Sequence, residues 1–151
     1  MRVLFDTNII LDVLLNRKKF VELSAKLVGM VESHHIDGYL CATTITTLDY
    51  LISKAMNKKQ AKVEVKKLLT IFKIAEVNSK VLELSANSKF GDFEDAVQYY
   101  SGKCCDMSGL VTRNIKDYKN ASLPIYTPEE LWGIVTVSQN DKALAVCESK
   151  E

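Results

Sequence analysis

Four stretches of the chain carry acids or amides from which a cation could be held. They are Val3-Leu4-Phe5-Asp6-Thr7-Asn8, Thr46-Thr47-Leu48-Asp49-Tyr50, Asp92-Phe93-Glu94-Asp95-Ala96 and Val111-Thr112-Arg113-Asn114-Ile115-Lys116-Asp117. Each acid alone has an ordinary reading: Asp6 as an Asx turn or helix cap, Asp49 as a solvated helix acid, Asp92 as an N-cap with Asp95 favoured by the helix dipole, and Arg113 with Asp117 as a surface ion pair. Gathered in one pocket, the carboxylates would repel one another strongly unless cations neutralised them, and hard oxygen ligands select Mg²⁺ or Mn²⁺. Such a pocket suits metal-assisted phosphodiester hydrolysis, in which ions hold the scissile phosphate, generate hydroxide from bound water and stabilise the leaving oxygen.

Gathering them is a task for the secondary structure. Val3-Leu4-Phe5 reads as a buried strand that ends at Asp6 and turns into a helix through Ile9, Ile10, Val13 and Leu14. A helix over 20–31 follows, then a strand over 38–42, a helix opened by the threonines of 43–47, and an amphipathic helix over 58–72 with Ala61, Val65, Leu68, Leu69 and Phe72 on one face. Further strands are expected at 74–77, 110–112 and 125–126, and further helices at 79–86, at 93–104 and after the capping sequence Thr127-Pro128-Glu129-Glu130. On the 93–104 helix, angles of about 100° per residue put Phe93, Ala96, Val97, Tyr100 and Cys104 on the core stripe. Asp92, Asp95 and Tyr99 stand beside it, while Glu94 and Gln98 point well away. Strands alternating with helices predict an α/β fold, a parallel sheet of four to five strands covered on both faces, with ligands at the carboxyl ends of the strands. Residues 1–132 form the expected domain, and 133–151 a C-terminal extension or frayed tail.

Composition narrows the partners. The chain has 151 residues and a net charge of +1, so bulk charge does not recruit a polyanion and a local site must. Lys54, Lys58, Lys62 and Lys66 climb one helical flank and, with Arg17, Lys18 and Lys19, could contact phosphates; a solvated face is the plainer reading. The four cysteines, at 41, 104, 105 and 147, make no C-x-x-C pair or zinc ligand set and are expected as free thiols. The opening Met-Arg-Val-Leu-Phe-Asp lacks the pattern of a signal peptide, and no apolar run approaches the roughly 20 residues of a membrane span. A cytoplasmic protein that does not enter membranes is expected.

The quoted segments, in their order and spacing over residues 1 to about 132, resemble the PIN-domain ribonucleases, and within them the VapC toxins of bacterial type II toxin–antitoxin pairs. That resemblance implies a three-layer α/β/α fold, Mg²⁺ or Mn²⁺, endonucleolytic cleavage of RNA, frequent homodimers and inhibition by a cognate antitoxin whose tail enters the acidic cleft. It implies Asp6, Asp49, Asp95 and Asp117 as the catalytic acids. Asp6, Asp95 and Asp117 would hold metal, with Asp92 as an extra ligand. Asn8, Thr112 and Asn114 would support the site, and Arg113 with Lys58, Lys62 and Lys66 would bind RNA. Asp49 stands where the family more often has Glu, and Asn114 where many members have Asp. Two other readings stay open. A phosphatase of the haloacid-dehalogenase type also places Asp after its first strand, but it requires Asp-x-Asp and here the third position is Asn8. A catalytically weak or inactive PIN-like scaffold, binding a DNA-binding antitoxin, is compatible with Asn114.

Overall fold

The computed structural model describes residues 1–119 and 121–150. Five strands, β1 (Arg2–Phe5), β2 (Asp37–Cys41), β3 (Lys73–Ala75), β4 (Gly109–Val111) and β5 (Ile125–Tyr126), form one wholly parallel sheet in the order β3-β2-β1-β4-β5. The helices are α1 (Thr7–Leu14), α2 (Val21–Glu32), α3 (Ala42–Ala55), α4 (Lys58–Ile71), α5 (Ser79–Ala86), α6 (Phe93–Cys104) and α7 (Pro128–Glu148). A short 3₁₀ turn, Ile115–Tyr118, occupies the polar loop after β4, which carries no helical periodicity in the sequence.

The two-residue period of the strands divides the core. Val3, Phe5, Leu40 and Val111 face α1, α2, α3, α4 and α7, while Leu4, Cys41, Ala75 and Leu110 face α5 and α6. The expected three-layer α/β/α arrangement is therefore present. Gly38 allows α2 to approach β2, because a Cβ there would stand 2.6 Å from a methyl of Val31. Thr127 caps α7 by accepting from the Glu130 N–H, with Pro128 at the first helical position. The segment from residue 133, an extension or frayed tail in the sequence expectation, continues α7 to Glu148; Glu151 lies outside the described residues. Among the described residues no helix is long and apolar enough to cross a membrane. Cys104 and Cys147 are exposed, Cys105 partly so and Cys41 buried, all as free thiols.

Strand order reverses direction at β1, whose neighbours are β2 on one side and β4 on the other. The crevice at the carboxyl ends of β1 and β4 is therefore the place where an open parallel sheet binds ligands.

The buried face of α6 differs from the stripe expected from hydropathy. Phe93 is 55% exposed and Cys104 is exposed, while Gln98 and Tyr99 are buried with Ala96, Val97, Ser101 and Gly102. Tyr99 packs against Phe90 and Tyr100 and exchanges hydrogen bonds with Ser122. Gln98 is buried on the side toward β1 because its amide has a partner there. Sorting by hydropathy puts the amide outside and the Phe93 ring inside, the reverse of what the fold does.

Candidate active site

β1 delivers Asp6 to the crevice. Its backbone stands at the N-cap of α1, yet its side chain makes no capping bond. Thr112, one residue beyond β4, donates to Asp6 Oδ2 at 2.8 Å, and Gln98 Nε2 of α6 donates to Oδ1 at 3.2 Å. Thr112 Oγ1 accepts in turn from the Asn114 N–H at 3.0 Å. Two elements distant in sequence from β1 thus hold one carboxylate in one orientation, with lone pairs left toward the crevice. Burial pushes the Asp6 carboxyl above its ordinary range, and the hydrogen bonds from Thr112 and Gln98 oppose that shift.

A cleft of about 400 Å³ opens beside it, lined by Asp6, Asn8, Thr47, Asp92, Glu94, Asp95, Gln98, Asn114 and Asp117 among others. Asp92 caps α6, accepting from the Asp95 N–H at 2.9 Å, and also borders the cleft. Asp95, partly buried, is pushed up to about 7 by burial first, and then by the charges of Asp6, Asp92, Asp117 and Glu94. The Tyr118 hydroxyl approaches Asp95 Oδ1 at 3.5 Å, and burial together with the surrounding acids drives that phenol's pKa upward, so it stays a donor. Among the described residues no three acids, histidines or cysteines converge on one point. The acids line the walls of a common space, as mutually repelling carboxylates do. Asp92, Asp95 and Asp117 also border a neighbouring depression that contains Lys89, Lys116 and Lys119, cations that the sequence expectation did not include.

Of the sequence-derived residues, the structure brings Asp6, Asn8, Asp92, Asp95, Thr112, Asn114 and Asp117 to this edge. Asp49 is not among them. It is exposed and lines a separate groove between α3 and α4 with Tyr50, Lys58, Lys62 and Lys66. The α3 residue in the cleft is Thr47, two positions earlier and about 200° around the helix from Asp49. Thr44, three residues before Thr47, packs under the crevice, its hydroxyl 3.0 Å from that of Thr7. Arg113 is also placed elsewhere than expected, pairing with Asp12 and not with Asp117. Its Nε and Nη2 donate to Asp12 Oδ2 and Oδ1 at 2.7 and 3.1 Å, and its guanidinium lies 3.8 Å from the Phe20 ring centroid.

Sequence reasoning missed Thr47, Glu94, Gln98 and Asp12. A partial signal existed for Glu94, which directly precedes Asp95 in the first turn of α6. None existed for Gln98 or Asp12, whose importance comes from partners about 90 to 100 residues away in sequence.

The chain matches the family described as PIN domain over residues 2–116. It is 27% identical over 134 residues to Ribonuclease VapC1 of Aquifex aeolicus (strain VF5), covering 85% of this chain and 92% of that protein. Among solved structures it resembles VapBC-1 from nontypeable Haemophilus influenzae, with a TM-score of 0.65, 17% identity and coverage of 85% of this chain and 99% of that one. It also resembles VapBC2 from Rickettsia felis bound to a promoter DNA fragment, with a TM-score of 0.64, 18% identity and coverage of 84% and 98%. At these identities the structural likenesses establish the fold.

Proposed function

From the premise that the chain belongs to the PIN-domain family, we propose that its acidic cleft is the active site of an endoribonuclease that uses Mg²⁺ or Mn²⁺ and serves as the toxin of a toxin–antitoxin pair. The observation that carries this reading is the meeting of Asp6, Asp92, Asp95 and Asp117, delivered by β1, the start of α6 and the loop after β4, in one cleft at the strand-order reversal. The similarity to Ribonuclease VapC1 supports the activity, and the likeness to the VapBC structures supports a protein partner.

The donor chemistry of the residues present fits a hard divalent cation, although the acids line the cleft walls and do not converge on one point among the described residues. Every side chain named in the cleft wall that could ligate does so through oxygen. Gln98 Oε1 is in addition the one buried side-chain nitrogen or oxygen among the described residues without a hydrogen-bond partner. A cation held by Asp6, Asp95 and Asp117, with Asp92 accessory, would polarise a scissile phosphate, lower the pKa of bound water and stabilise the leaving oxygen. The chain's own part is positional. Thr112 and Gln98 fix the Asp6 carboxylate, and the Tyr118 hydroxyl lies within reach of Asp95. Asp95 must lose its proton before it can ligate, so cation affinity rises as pH passes upward through about 7.

RNA needs phosphate contacts that a net charge of +1 does not supply in bulk. Lys89, Lys116 and Lys119 stand beside the acids, and Lys58, Lys62 and Lys66 line the groove with the exposed Tyr50 ring. Replacing Lys58, Lys62 and Lys66 together with Gln is expected to weaken RNA binding and to flatten its dependence on salt, by roughly 0.7 in the logarithmic slope for each single-strand phosphate that the variant no longer neutralises. Fluorescence anisotropy across a salt series reads this, and an unchanged slope returns the three lysines to a solvated face. Ile134 and Val137, exposed on α7 next to Tyr126, offer apolar surface to a second copy or to an antitoxin.

The test of the activity is digestion of RNA by the purified chain with Mg²⁺ or Mn²⁺ and with chelator. Cleavage that requires the metal supports the proposal. Cleavage that persists in chelator removes the metal mechanism, and a protein that neither cleaves RNA nor gains thermal stability from Mn²⁺ is the scaffold of the alternative reading.

A further inference from the structure

The family resemblance implies a carboxylate on α3 in the cleft, and α3 brings none. Asp49 faces the lysine groove, and the α3 side chain that borders the acids is Thr47. Directly across from it, Glu94 of α6 leans toward α3, its Oε1 accepting from Thr47 Oγ1 at 3.0 Å. Both side chains are partly buried and both line the same wall as Asp6, Asp95 and Asp117. A first-turn acid whose only task was to complement the helix dipole would be served by solvent and by its own N-terminal N–H groups. Glu94 is instead tied to a helix 47 residues away in sequence. The buried, unpartnered Gln98 Oε1 on the same helix is an independent sign that this cleft is built for a ligand.

We propose that Glu94, steered by Thr47, is the α3-side carboxylate of the cation cleft, so that the acid is supplied across the cleft by α6 and Thr47 is its positioning residue. The inference rests on the metal-dependent reading above. It explains how a chain with a hydroxyl on α3 at the cleft retains an acidic wall there. The Glu94 side chain, one methylene longer than its Asp neighbours, reaches the α3 hydroxyl from α6, and the bond to Thr47 holds that rotamer.

Titration calorimetry with Mn²⁺ on the full chain tests this without reference to turnover. Glu94→Gln is expected to weaken Mn²⁺ binding by roughly tenfold or more, and Thr47→Val to weaken it in the same direction although it removes no charge; loss of such a supporting hydrogen bond is worth roughly 10- to 100-fold in metal affinity. Thr47→Ser, which keeps the hydroxyl, should bind Mn²⁺ as the parent does. The double variant Thr47→Glu with Glu94→Ala should recover affinity by returning the carboxylate to α3. Circular dichroism spectra matching the parent establish that each variant is folded. If Glu94→Gln binds as the parent does while Asp6→Asn does not, the assignment of Glu94 fails and the metal cleft stands. If Asp49→Asn weakens binding and Glu94→Gln does not, the acid is Asp49. If Asp6→Asn also leaves Mn²⁺ binding intact, the underlying metal reading fails with it.

Discussion

Asp95→Asn is expected to lower RNA cleavage on the order of 10²- to 10³-fold, the range for loss of one preorganised electrostatic group, while making the metal-free protein more stable at pH 8. The two effects have one cause. Asp95 is partly buried and is crowded by Asp6, Asp92, Asp117 and Glu94, and burial first, then these charges, push its pKa up to about 7. A carboxyl whose folded pKa lies above its unfolded value of about 3.9 binds more protons folded than unfolded between those limits. Its contribution therefore lowers stability as pH rises from about 4 to about 7, and the loss is complete above that. Asn keeps the shape and removes the charge. Discounted for the partial exposure of Asp95, the gain at pH 8 is roughly 1–2 kcal/mol, about 3–6 °C in melting temperature, and it is small near pH 4. Thermal denaturation at the two pH values, with chelator present, reads it directly. Equal gains at both, or undiminished cleavage, would overturn the electrostatic account of the site.

Asp12→Ala is expected to destabilise the fold by about 3 kcal/mol, the low end of the range for breaking a buried ion pair by removing one partner. Asp12 is fully buried, and it holds Arg113 through two bonds and Arg17 through a third at 3.4 Å. Without it the Arg113 guanidinium, still stacked on Phe20, has no counter-charge. That side chain is 21% exposed and can recover some hydration, which keeps the cost at the low end. Melting should fall by roughly 6–12 °C. Because Arg113 lies between Thr112 and Asn114, the loop that orients Asp6 should loosen and cleavage should fall with it. The double variant Asp12→Leu with Arg113→Met should recover most of the stability, since a well-packed apolar pair often replaces a buried ion pair at little cost. A single variant within about 1 kcal/mol of the parent by denaturant titration would show that the pair adds nothing.

The sequence alone determined the alternation of strands and helices, the parallel sheet and the delivery of Asp6, Asp92, Asp95 and Asp117 to one edge. Those features depend on local signals, namely periodicity within each element and acids placed directly after strands or at helix starts, and a parallel α/β sheet converts such positions into neighbours. The Thr127-Pro128 cap was legible for the same reason, since a cap bonds within its own first turn. What depended on rotation about a helix axis was left to the tertiary structure. A two-residue displacement on α3 turns a side chain about 200°, which separates Thr47 in the cleft from Asp49 among the lysines. On α6, hydropathy ranks Gln98 as surface and Phe93 as core, but Gln98 is buried because Asp6 accepts its amide proton from across the crevice. Arg113 reads as a polar loop residue until Asp12, on α1, is set beneath it. In each case the environment of a polar side chain is set by its hydrogen-bonding partner, and partners about 50 to 100 residues apart meet only when the sheet order places their elements side by side.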